Sequence, residues 1–442
     1  MTRKIVFIGN CQTNNIHRLF AEQVALSTGD EVHFVPCFVG LSEKSEAALV
    51  DADIIVSQML DSVQAVNLDM LMRDNKIDSA AQIIEFPLVS GRFLWPYACA
   101  MHVLNHHLPY YYQGPFPEEY GDSYLNKKIL QESELSKISD EYQRLDVAER
   151  MNLDRLYEIY IDSLKRKDEK AGFSCAEYIG KNLRKERLFK TATGLARPLY
   201  LHLASELFEK LGVERALIER VSSNCWSPPV AHIESPIHPS VARHFKMDFL
   251  NEDSRYLYFT GERMTFREYV DRYLKYEYND PLFRGMYGGD WDSSSKSGRQ
   301  RRIAQIRIGV QSSSVPSAWA SYELASLLLA QGEKSLALDS AHNALRIEPT
   351  NVHYRVMLAN TLCVNAQAEN ALALLREGIG QWPGVALLWH VLANVLKSIG
   401  QQDQAVQAAA KAYEIEPHNK ALLRDHPAVA EPGHLEIAAQ YH

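Results

Sequence analysis

The stretch Lys4-Ile-Val-Phe-Ile-Gly-Asn-Cys-Gln-Thr-Asn-Asn15 decides the fold of the first part of the chain. It opens with a continuous apolar run, typical of a central strand in a parallel sheet, and apolar residues at helical spacing follow from Ile16 onward. The turn Gly9-Asn-Cys-Gln12 lies between the two. In open α/β sheets ligands bind where strands end, and the free N–H groups of a helix N-terminus favour an anion. The sequence therefore predicts a functional site at this turn.

Cys11 is the reactive candidate of this turn. A thiol at a helix N-terminus is expected to have a lowered pKa, which exposes more of the nucleophilic thiolate. Gly9 permits a close backbone approach, and Asn10 and Gln12 bring hydrogen-bonding groups. The alternative is that Cys11 is a small buried hydrophobic residue, as most isolated cysteines are.

The composition is that of a globular protein with more than one domain. The 442 residues include 47 Lys and Arg against 55 Asp and Glu, a net charge of -8, which argues against nucleic acid or an anionic membrane as a partner. The six cysteines are scattered without metal-ligand spacing, so we expect free thiols and a cytoplasmic location. We expect neither membrane insertion nor a signal peptide, because no apolar run has the required length or flanks.

The first 90 residues are predicted to form an α/β subdomain with a small parallel sheet. Its strands correspond to the apolar runs 4–8, 32–38, 53–56 and 82–86. In a parallel sheet, Ser57 and Gln58 would lie at the same edge as Cys11. The alternative for Ser57 is that it caps the following helix. Residues 91–287 are predicted to be the mainly helical part of the same catalytic domain, and residues 288–317 have the composition of a linker.

Three consecutive units of equal length, 318–351, 352–385 and 386–419, resemble tetratricopeptide repeats. Each has Leu, Ala, Leu, Ala and Pro at its positions 7, 8, 11, 20 and 32, whereas Gly378 departs from the Ala that the other units have at position 27. We predict an all-α repeat domain followed by a C-terminal cap or tail at 420–442. Such repeats bind a protein partner or mediate self-association; the alternative is that they only pack on the enzyme or dimerise it.

Histidines and aromatic residues in the helical part are candidates for substrate binding. His102 and His106 would share one face of a helix, but no third ligand is adjacent, so we expect no metal and assign them to sugar contacts or a second base. Trp95 and Tyr110 belong to aromatic segments that would stack on a sugar or on adenine, with core packing as the alternative.

Four segments together support a family resemblance: Gly9-Asn-Cys-Gln12, Leu94-Trp-Pro-Tyr97, Leu188-Phe-Lys-Thr-Ala-Thr193 and Ser235-Pro-Ile-His-Pro239. On these segments, roughly residues 1–280 resemble the WcbI family of polysaccharide-biosynthesis proteins, which are regarded as coenzyme-A-binding acetyltransferases acting on capsular sugars. The chain departs from an expected Asn-His-Pro at Ala196-Arg197-Pro198, so no histidine role carries over to that position.

The resemblance implies acyl transfer, which needs a nucleophile or base, donors for the oxyanion and a pocket for the acyl carrier. Cys11 either takes the acyl group or, with Asn10 and Gln12, helps to stabilise the oxyanion during direct attack. His238, which lies between two prolines, is the predicted general base. The alternative is a histidine whose hydrogen bonds are satisfied within a turn.

Coenzyme A carries phosphates, so basic side chains are expected at its site despite the acidic total. The predicted cosubstrate contacts are Gly9, Ser57, Gln58, Arg184, Lys185, Arg187 and Lys190. A second basic group, Arg299, Arg301 and Arg302, lies in the linker.

The leading hypothesis is a cytoplasmic O-acetyltransferase that uses acetyl-coenzyme A and a sugar or glycan acceptor. The second hypothesis is an esterase similar to the SGNH hydrolases with Cys11 in place of serine, which would act on an aryl ester without coenzyme A. The third is an adaptor without catalytic activity in glycan assembly, which would bind its partner unchanged after Cys11→Ala.

Overall fold

A four-stranded parallel sheet lies at the centre of the first 90 residues, as predicted. The computed structural model describes residues 2–61, 64–78, 80–106, 116, 119–131, 134–223, 233–258, 262–276, 299–300, 302–304, 306–307 and 317–430. The strands are β1 Lys4–Gly9, β2 Glu31–Pro36, β3 Ile54–Met59 and β4 Gln82–Pro87. Their order is β2-β1-β3-β4 and all pairs are parallel, so all four carboxyl ends meet at one edge.

Both faces of the sheet are covered, which explains why β1 is apolar throughout rather than alternating. Ile5 and Phe7 face one core, which they share with the first helix, and Val6 and Ile8 face a second core on the other side. The helices of this part are α1 Cys11–Gln23, α2 Ala25–Thr28, α3 Glu43–Leu49 and α4 Leu68–Arg73.

The following part is mainly helical, as predicted. Its helices are α5 Ser123–Leu130, α6 Leu135–Arg144, α7 Val147–Met151, α8 Leu153–Ala171, α9 Cys175–Asn182, α10 Arg197–Lys210, α11 Arg215–Ser223, α12 Pro239–His244 and α13 Phe266–Leu274. Two short antiparallel pairs accompany them, β5 Ala98–Cys99 with β6 Gly121–Asp122, and β7 Arg255–Leu257 with β8 Arg263–Thr265. Phe208 of α10 packs edge-on against Phe20 of α1 at 5.3 Å between ring centres, which joins the helical part to the sheet.

The C-terminal part is an all-α repeat domain of three helix pairs. The helices are α14 Ala318–Gln331, α15 Lys334–Ile347, α16 Val352–Val364, α17 Ala368–Gln381, α18 Ala386–Ser398 and α19 Gln402–Ile415, followed by α20 Lys420–Asp425. The alanines at positions 8 and 20 of every unit are fully buried, because only small side chains let the paired helices approach closely.

The glycine that departs from the repeat pattern has a physical reason. A Cβ at Gly378 would lie 2.6 Å from Cδ of Arg355, whose side chain is buried in the neighbouring helix. The Arg355 guanidinium lies over the Trp382 ring and donates to the Leu374 carbonyl at 3.1 Å. The arginine therefore occupies the space that an alanine methyl group fills in the other units.

The third repeat contacts the α/β part directly. Ser27, in α2, donates through Oγ to the carbonyl of Ile415 at 2.9 Å, and the backbone N–H of His418 donates to the carbonyl of Leu26 at 2.9 Å. Arg220 of α11 donates to Oγ of Ser27 at 2.8 Å. The end of the repeat domain is thus hydrogen-bonded to α2, the short helix that comes after α1.

Most of the predicted linker, 288–317, lies outside the described residues, because 288–298 and 308–316 are not among them. Of the predicted tail, 420–442, residues 431–442 also lie outside. The described helices include none with the length and apolar content needed to cross a bilayer.

We expect Gly378→Ala to be less stable than Gly380→Ala in the same helix by about 1–3 kcal/mol, the usual cost of overpacking a core. Both changes gain the same helix propensity, but a Cβ at Gly380 has no atom within 4 Å. Urea unfolding of the two variants measures the difference. Equal stability would contradict the packing explanation, and so would a more stable Gly378→Ala.

Candidate functional site

The β1–α1 turn places Cys11 at the first position of α1, with Asn10 as the N-cap. The Asn10 side chain accepts a hydrogen bond from the backbone N–H of Gln12 at 2.9 Å, which is the usual contact of a capping residue. Cys11 itself is exposed and is a free cysteine. Cys11 is therefore an exposed residue at a helix N-terminus even though neighbouring atoms shield its sulfur, which excludes the alternative of a small buried hydrophobic residue.

Gln12 joins the turn to the end of β4. Its amide nitrogen donates to the carbonyl of Val89 at 2.9 Å, and its amide oxygen accepts from the Val89 N–H at 3.2 Å. Nε2 of Gln58 donates to the same oxygen at 3.1 Å. These contacts hold the Gln12 side chain in the interior. The side chain therefore positions the turn and is not free to donate a hydrogen bond to an oxyanion.

Gln58 completes the connection from the end of β3. Its amide oxygen accepts from Oγ1 of Thr13 at 2.9 Å and from the N–H of Asn10 at 3.3 Å. A Cβ at Gly9 would lie 2.0 Å from that Thr13 oxygen, so only glycine fits the turn. The expected juxtaposition of the β3 end with the Cys11 turn is therefore present.

Ser57 is buried in β3, in register between Ile8 and Glu85. The alternative that it caps the next helix is wrong, because Asn67 caps α4 by accepting from the Met70 N–H at 2.9 Å. Gly9, Ser57 and Gln58 line an open groove of about 540 Å³ together with Cys37 and Lys170.

The prediction that the helix N-terminus lowers the pKa of Cys11 is wrong. Burial of the thiol among its neighbours is the largest cause and raises its pKa, and the Glu119 carboxylate raises it further. Backbone N–H groups of Gln12 and of Cys11 itself act in the opposite direction without reversing the net shift. The surroundings therefore disfavour the thiolate more than the helix N-terminus favours it.

Glu119 is the site residue that the sequence analysis missed. Its carboxylate accepts from Oγ1 of Thr193 at 2.6 Å and from Arg92 at 3.1 Å. Its φ of 78° lies in the left-handed region, which non-glycine residues occupy at a cost that is common at functional sites. No short motif around Glu119 signals this placement, although the Leu188–Thr193 segment already pointed to the region.

His238 does not have the free ring nitrogen that a general base needs. Its Nε2 lies 2.7 Å from the carbonyl of Tyr142, to which it donates, and its Nδ1 accepts from the Ser240 N–H at 3.1 Å as the N-cap of α12. Burial lowers its pKa to about 4. This geometry corrects the predicted role and matches the alternative of a histidine satisfied within a turn.

His102 does not share a helix with His106, whose side chain lies outside the described residues. His102 precedes the short 3-10 helix Val103–His106, is fully buried, and bonds through Nε2 to the carbonyl of Tyr273 at 3.0 Å and through Nδ1 to the N–H of Leu104. Burial lowers its pKa to about 4. His102 thus contacts the core rather than an open sugar site. Tyr110 lies outside the described residues.

Trp95 lies between two openings near Glu119. Its indole N–H donates to the carbonyl of Pro236 at 2.9 Å. On one side is a pocket of about 60 Å³ that Glu119 and His238 also line, and on the other an open groove of about 430 Å³ beside Arg92 and Lys167. A partly exposed aromatic ring in this place is available for stacking.

The predicted phosphate cluster is divided. Arg184 and Lys185 are exposed, whereas Arg187 pairs with Glu234 at 3.2 Å and lies over the ring of Tyr256. Burial lowers the pKa of Lys190. The four side chains therefore occupy different environments and do not form one continuous basic surface.

The fold and the turn define an α/β protein with a cysteine site at the strand ends and a C-terminal all-α repeat domain. Residues 4–216 match the family model described as "Polysaccharide biosynthesis enzyme WcbI". The match is shorter than the resemblance over roughly residues 1–280. It includes Cys11, Gln58 and Glu119 and excludes His238 and the repeats.

Several solved structures are similar to the chain. A WcbI structure, described as a novel polysaccharide biosynthesis enzyme in native form without a disulfide bond between coenzyme A and a cysteine, has a TM-score of 0.46 and 14% identity and covers 78% of this chain and 99% of that chain. Two MamA structures are similar to about a third of the chain. One has a TM-score of 0.28 and 17% identity and covers 34% of this chain and 87% of that chain. The other, from Desulfovibrio magneticus RS-1, has a TM-score of 0.24 and 16% identity and covers 33% of this chain and 86% of that chain. No curated protein matches the chain.

We expect His238→Gln to reduce the loss of stability in acid. The folded-state pKa of about 4 lies below the ordinary 6.5, so the unfolded chain takes up the proton first, and stability present above pH 6.5 is lost as the pH falls toward 4. Between about pH 7.5 and about pH 5, the wild type should lose about 2 kcal/mol more than the variant. Urea unfolding at both pH values measures this. The surface variant His244→Gln is the control, and an unchanged pH dependence in His238→Gln would contradict the assignment.

We expect Glu119→Gln to increase the alkylation rate of Cys11 near neutral pH. Removal of the negative charge lowers the pKa of the thiol and so raises the thiolate fraction. Iodoacetamide labelling followed by peptide mass spectrometry measures the rate at Cys11, with Cys363 as the internal reference. High salt should reduce the difference, because the charge is partly exposed. A slower reaction of Cys11 in the variant would contradict this electrostatic account.

Proposed function

We propose that the chain is an acyltransferase of polysaccharide biosynthesis that transfers an acetyl group from acetyl-coenzyme A to a hydroxyl of a sugar or glycan precursor. The observation that carries this proposal is the Cys11 thiol at the N-terminus of α1 with the Glu119 carboxylate close enough to raise its pKa. The family described as polysaccharide biosynthesis enzymes supports the substrate class. The choice of coenzyme A rests on the resemblance of the Gly9–Gln12 turn to the WcbI family.

Acyl transfer from a thioester requires a proton acceptor at the site, because both the thiol and the acceptor hydroxyl are neutral before they attack. The surroundings raise the pKa of Cys11, so a base must take its proton on a route through acyl-cysteine, and a base must take the proton of the acceptor hydroxyl on a direct route. Glu119 fits this requirement: its carboxylate is hydrogen-bonded to Thr193 and Arg92, and these contacts fix its orientation.

Two routes use Glu119 as the base. In the first, Glu119 takes the proton of Cys11, the thiolate attacks the acetyl thioester, and coenzyme A leaves as a thiolate that takes this proton from Glu119. The acceptor hydroxyl then attacks the acyl-cysteine while Glu119 takes its proton, and the proton passes to the departing Cys11 thiolate. In the second, Glu119 takes the proton of the acceptor hydroxyl as the hydroxyl attacks acetyl-coenzyme A directly, and the departing coenzyme A thiolate receives that proton. Backbone N–H groups at the start of α1, other than the Gln12 N–H that donates to Asn10, would stabilise the oxyanion on both routes.

The groove of about 430 Å³ beside Trp95 is our candidate for the acyl carrier. It combines an aromatic ring with the cationic Arg92 and Lys167, which suits a ligand with an adenine ring and phosphates. Arg92 also bonds to Glu119, so this groove lies next to the proposed base. The exposed Arg184 and Lys185 remain candidate phosphate contacts.

The repeats are proposed to bind a protein partner or a second copy of the chain. The regular helix pairs support this, because repeats of this kind form extended curved surfaces. Their hydrogen bonds to α2 would keep such a partner at a fixed place relative to the Cys11 turn.

We expect Glu119→Gln to reduce acetyl transfer by about 10²-fold or more on either route, the usual range for loss of an acid–base group, and Cys11→Ala to abolish transfer on the first route. The assay follows release of the coenzyme A thiol from acetyl-coenzyme A with sugar acceptors, and Cys363→Ala is the matched control. Intact mass after incubation without acceptor separates the routes: an added acetyl group that Cys11→Ala lacks identifies the first.

Calorimetric titration with coenzyme A and acetyl-coenzyme A tests the proposal independently of the acceptor. Saturable binding by the wild type is expected. Absence of heat at protein concentrations that detect a Kd of ~100 micromolar, equivalent to about 5.5 kcal/mol of binding, would contradict it.

A further inference from the structure

A cluster of metal-ligand side chains lies in the helical part, outside the proposed acyl-transfer site. Cys175, His202 and Glu206 each offer one ligand atom, and these atoms all lie within 4.8 Å of one another. His202 and Glu206 are four residues apart on α10, so they share one face of that helix. Cys175 begins α9, which packs beside α10.

The start of α9 is held by two carboxylates on either side of Cys175. Glu206 accepts from the N–H of Ser174 at 3.1 Å, and Asp168 of α8 accepts through Oδ2 from the N–H of Ala176 at 2.7 Å. The thiol therefore lies in a position where two acidic side chains converge. Asp168 is buried and Glu206 is half-buried, and neighbouring carboxylates of this kind repel each other unless protons or a cation neutralise them.

Two details of the hydrogen bonding distinguish this region. Asp168 is nine-tenths or more buried, yet its Oδ1 has no hydrogen-bond partner within the part of the chain that the structure describes. Ser174 is the N-cap of α9 but does not cap it with its side chain. Its hydroxyl instead contacts Nε2 of His202 at 3.2 Å and a carboxylate oxygen of Glu206.

We propose that Cys175, His202 and Glu206 bind one Zn²⁺ ion that fastens α9 to α10. A thiolate, an imidazole and a carboxylate form a ligand set that zinc accepts, whereas Mg²⁺ and Ca²⁺ prefer oxygen ligands alone. Binding would replace the contact between Ser174 and Nε2 of His202 and would release the Cys175 proton.

The proposed site is distinct from the Cys11 turn and differs from the sequence-based expectation of no metal. Cys175 is fully buried, so the role assigned to the ion is structural and not catalytic. The spacing of these residues gives no local motif, because Cys175 begins α9 and His202 lies in the next helix, α10. A histidine and a glutamate four residues apart are in themselves common on helix surfaces.

The test uses the full chain with Cys11→Ser as background, so that the exposed thiol contributes no metal binding. After chelator treatment, competition with a chromophoric chelator should give one tightly bound Zn²⁺ per chain, and Co²⁺ should give a thiolate charge-transfer band. Zinc should also raise the Tm. In the same background, Cys175→Ser should lose the band and the zinc, and His202→Gln should weaken zinc binding by at least tenfold.

The surface variant His244→Gln should bind zinc like the background. If Cys175→Ser does not fold by circular dichroism, Glu206→Gln, which keeps an acceptor for the Ser174 N–H, decides in its place. Absence of stoichiometric zinc binding, or zinc binding and a cobalt spectrum that do not change in these variants, would overturn the proposal.

Discussion

The pairing of buried amides between Gln12, Gln58 and Val89 is the constraint on which the site depends. A buried amide that lacks a hydrogen-bond partner destabilises the folded state, because it has given up its hydrogen bonds to water. These three amide groups therefore fix one another's positions. The contacts join the carboxyl ends of β1, β3 and β4 at one point. Gly9 is required at the same place for a steric reason, because a Cβ there would collide with the Thr13 side chain.

This amide network also determines what Cys11 can do. Gln12 is held in the interior while Cys11, the residue before it, is exposed, and the surroundings of the Cys11 sulfur disfavour a negative charge. The expectation of a lowered pKa considered only the helix N-terminus. Burial and the Glu119 carboxylate outweigh the N–H groups, and so the chemistry of the thiol depends on a neighbouring base rather than on the helix alone.

The parts of the structure that follow from local periodicity could be predicted from the sequence. The apolar run of β1 and the regular alanines of the repeats each reflect contacts that recur along a strand or a helix. Glu119 could not be found in this way, because its proximity to Cys11 depends on how distant segments fold together. The prediction that His238 is a general base was wrong for a physical reason. Prolines stiffen the loop around a histidine that caps a helix just as they would around a general base.

The helical segment α1–α2 connects the proposed site with the repeat domain. Cys11 begins α1, and Ser27, close to the end of α2, is hydrogen-bonded to the last repeat. With 13 residues at about 1.5 Å each, α1 alone spans about 20 Å. A continuous, well-packed segment of this kind fixes distance and orientation, but it transmits a signal only where it has two alternative arrangements. The described contacts therefore favour a repeat domain that positions a partner beside the site over one that switches the site on and off.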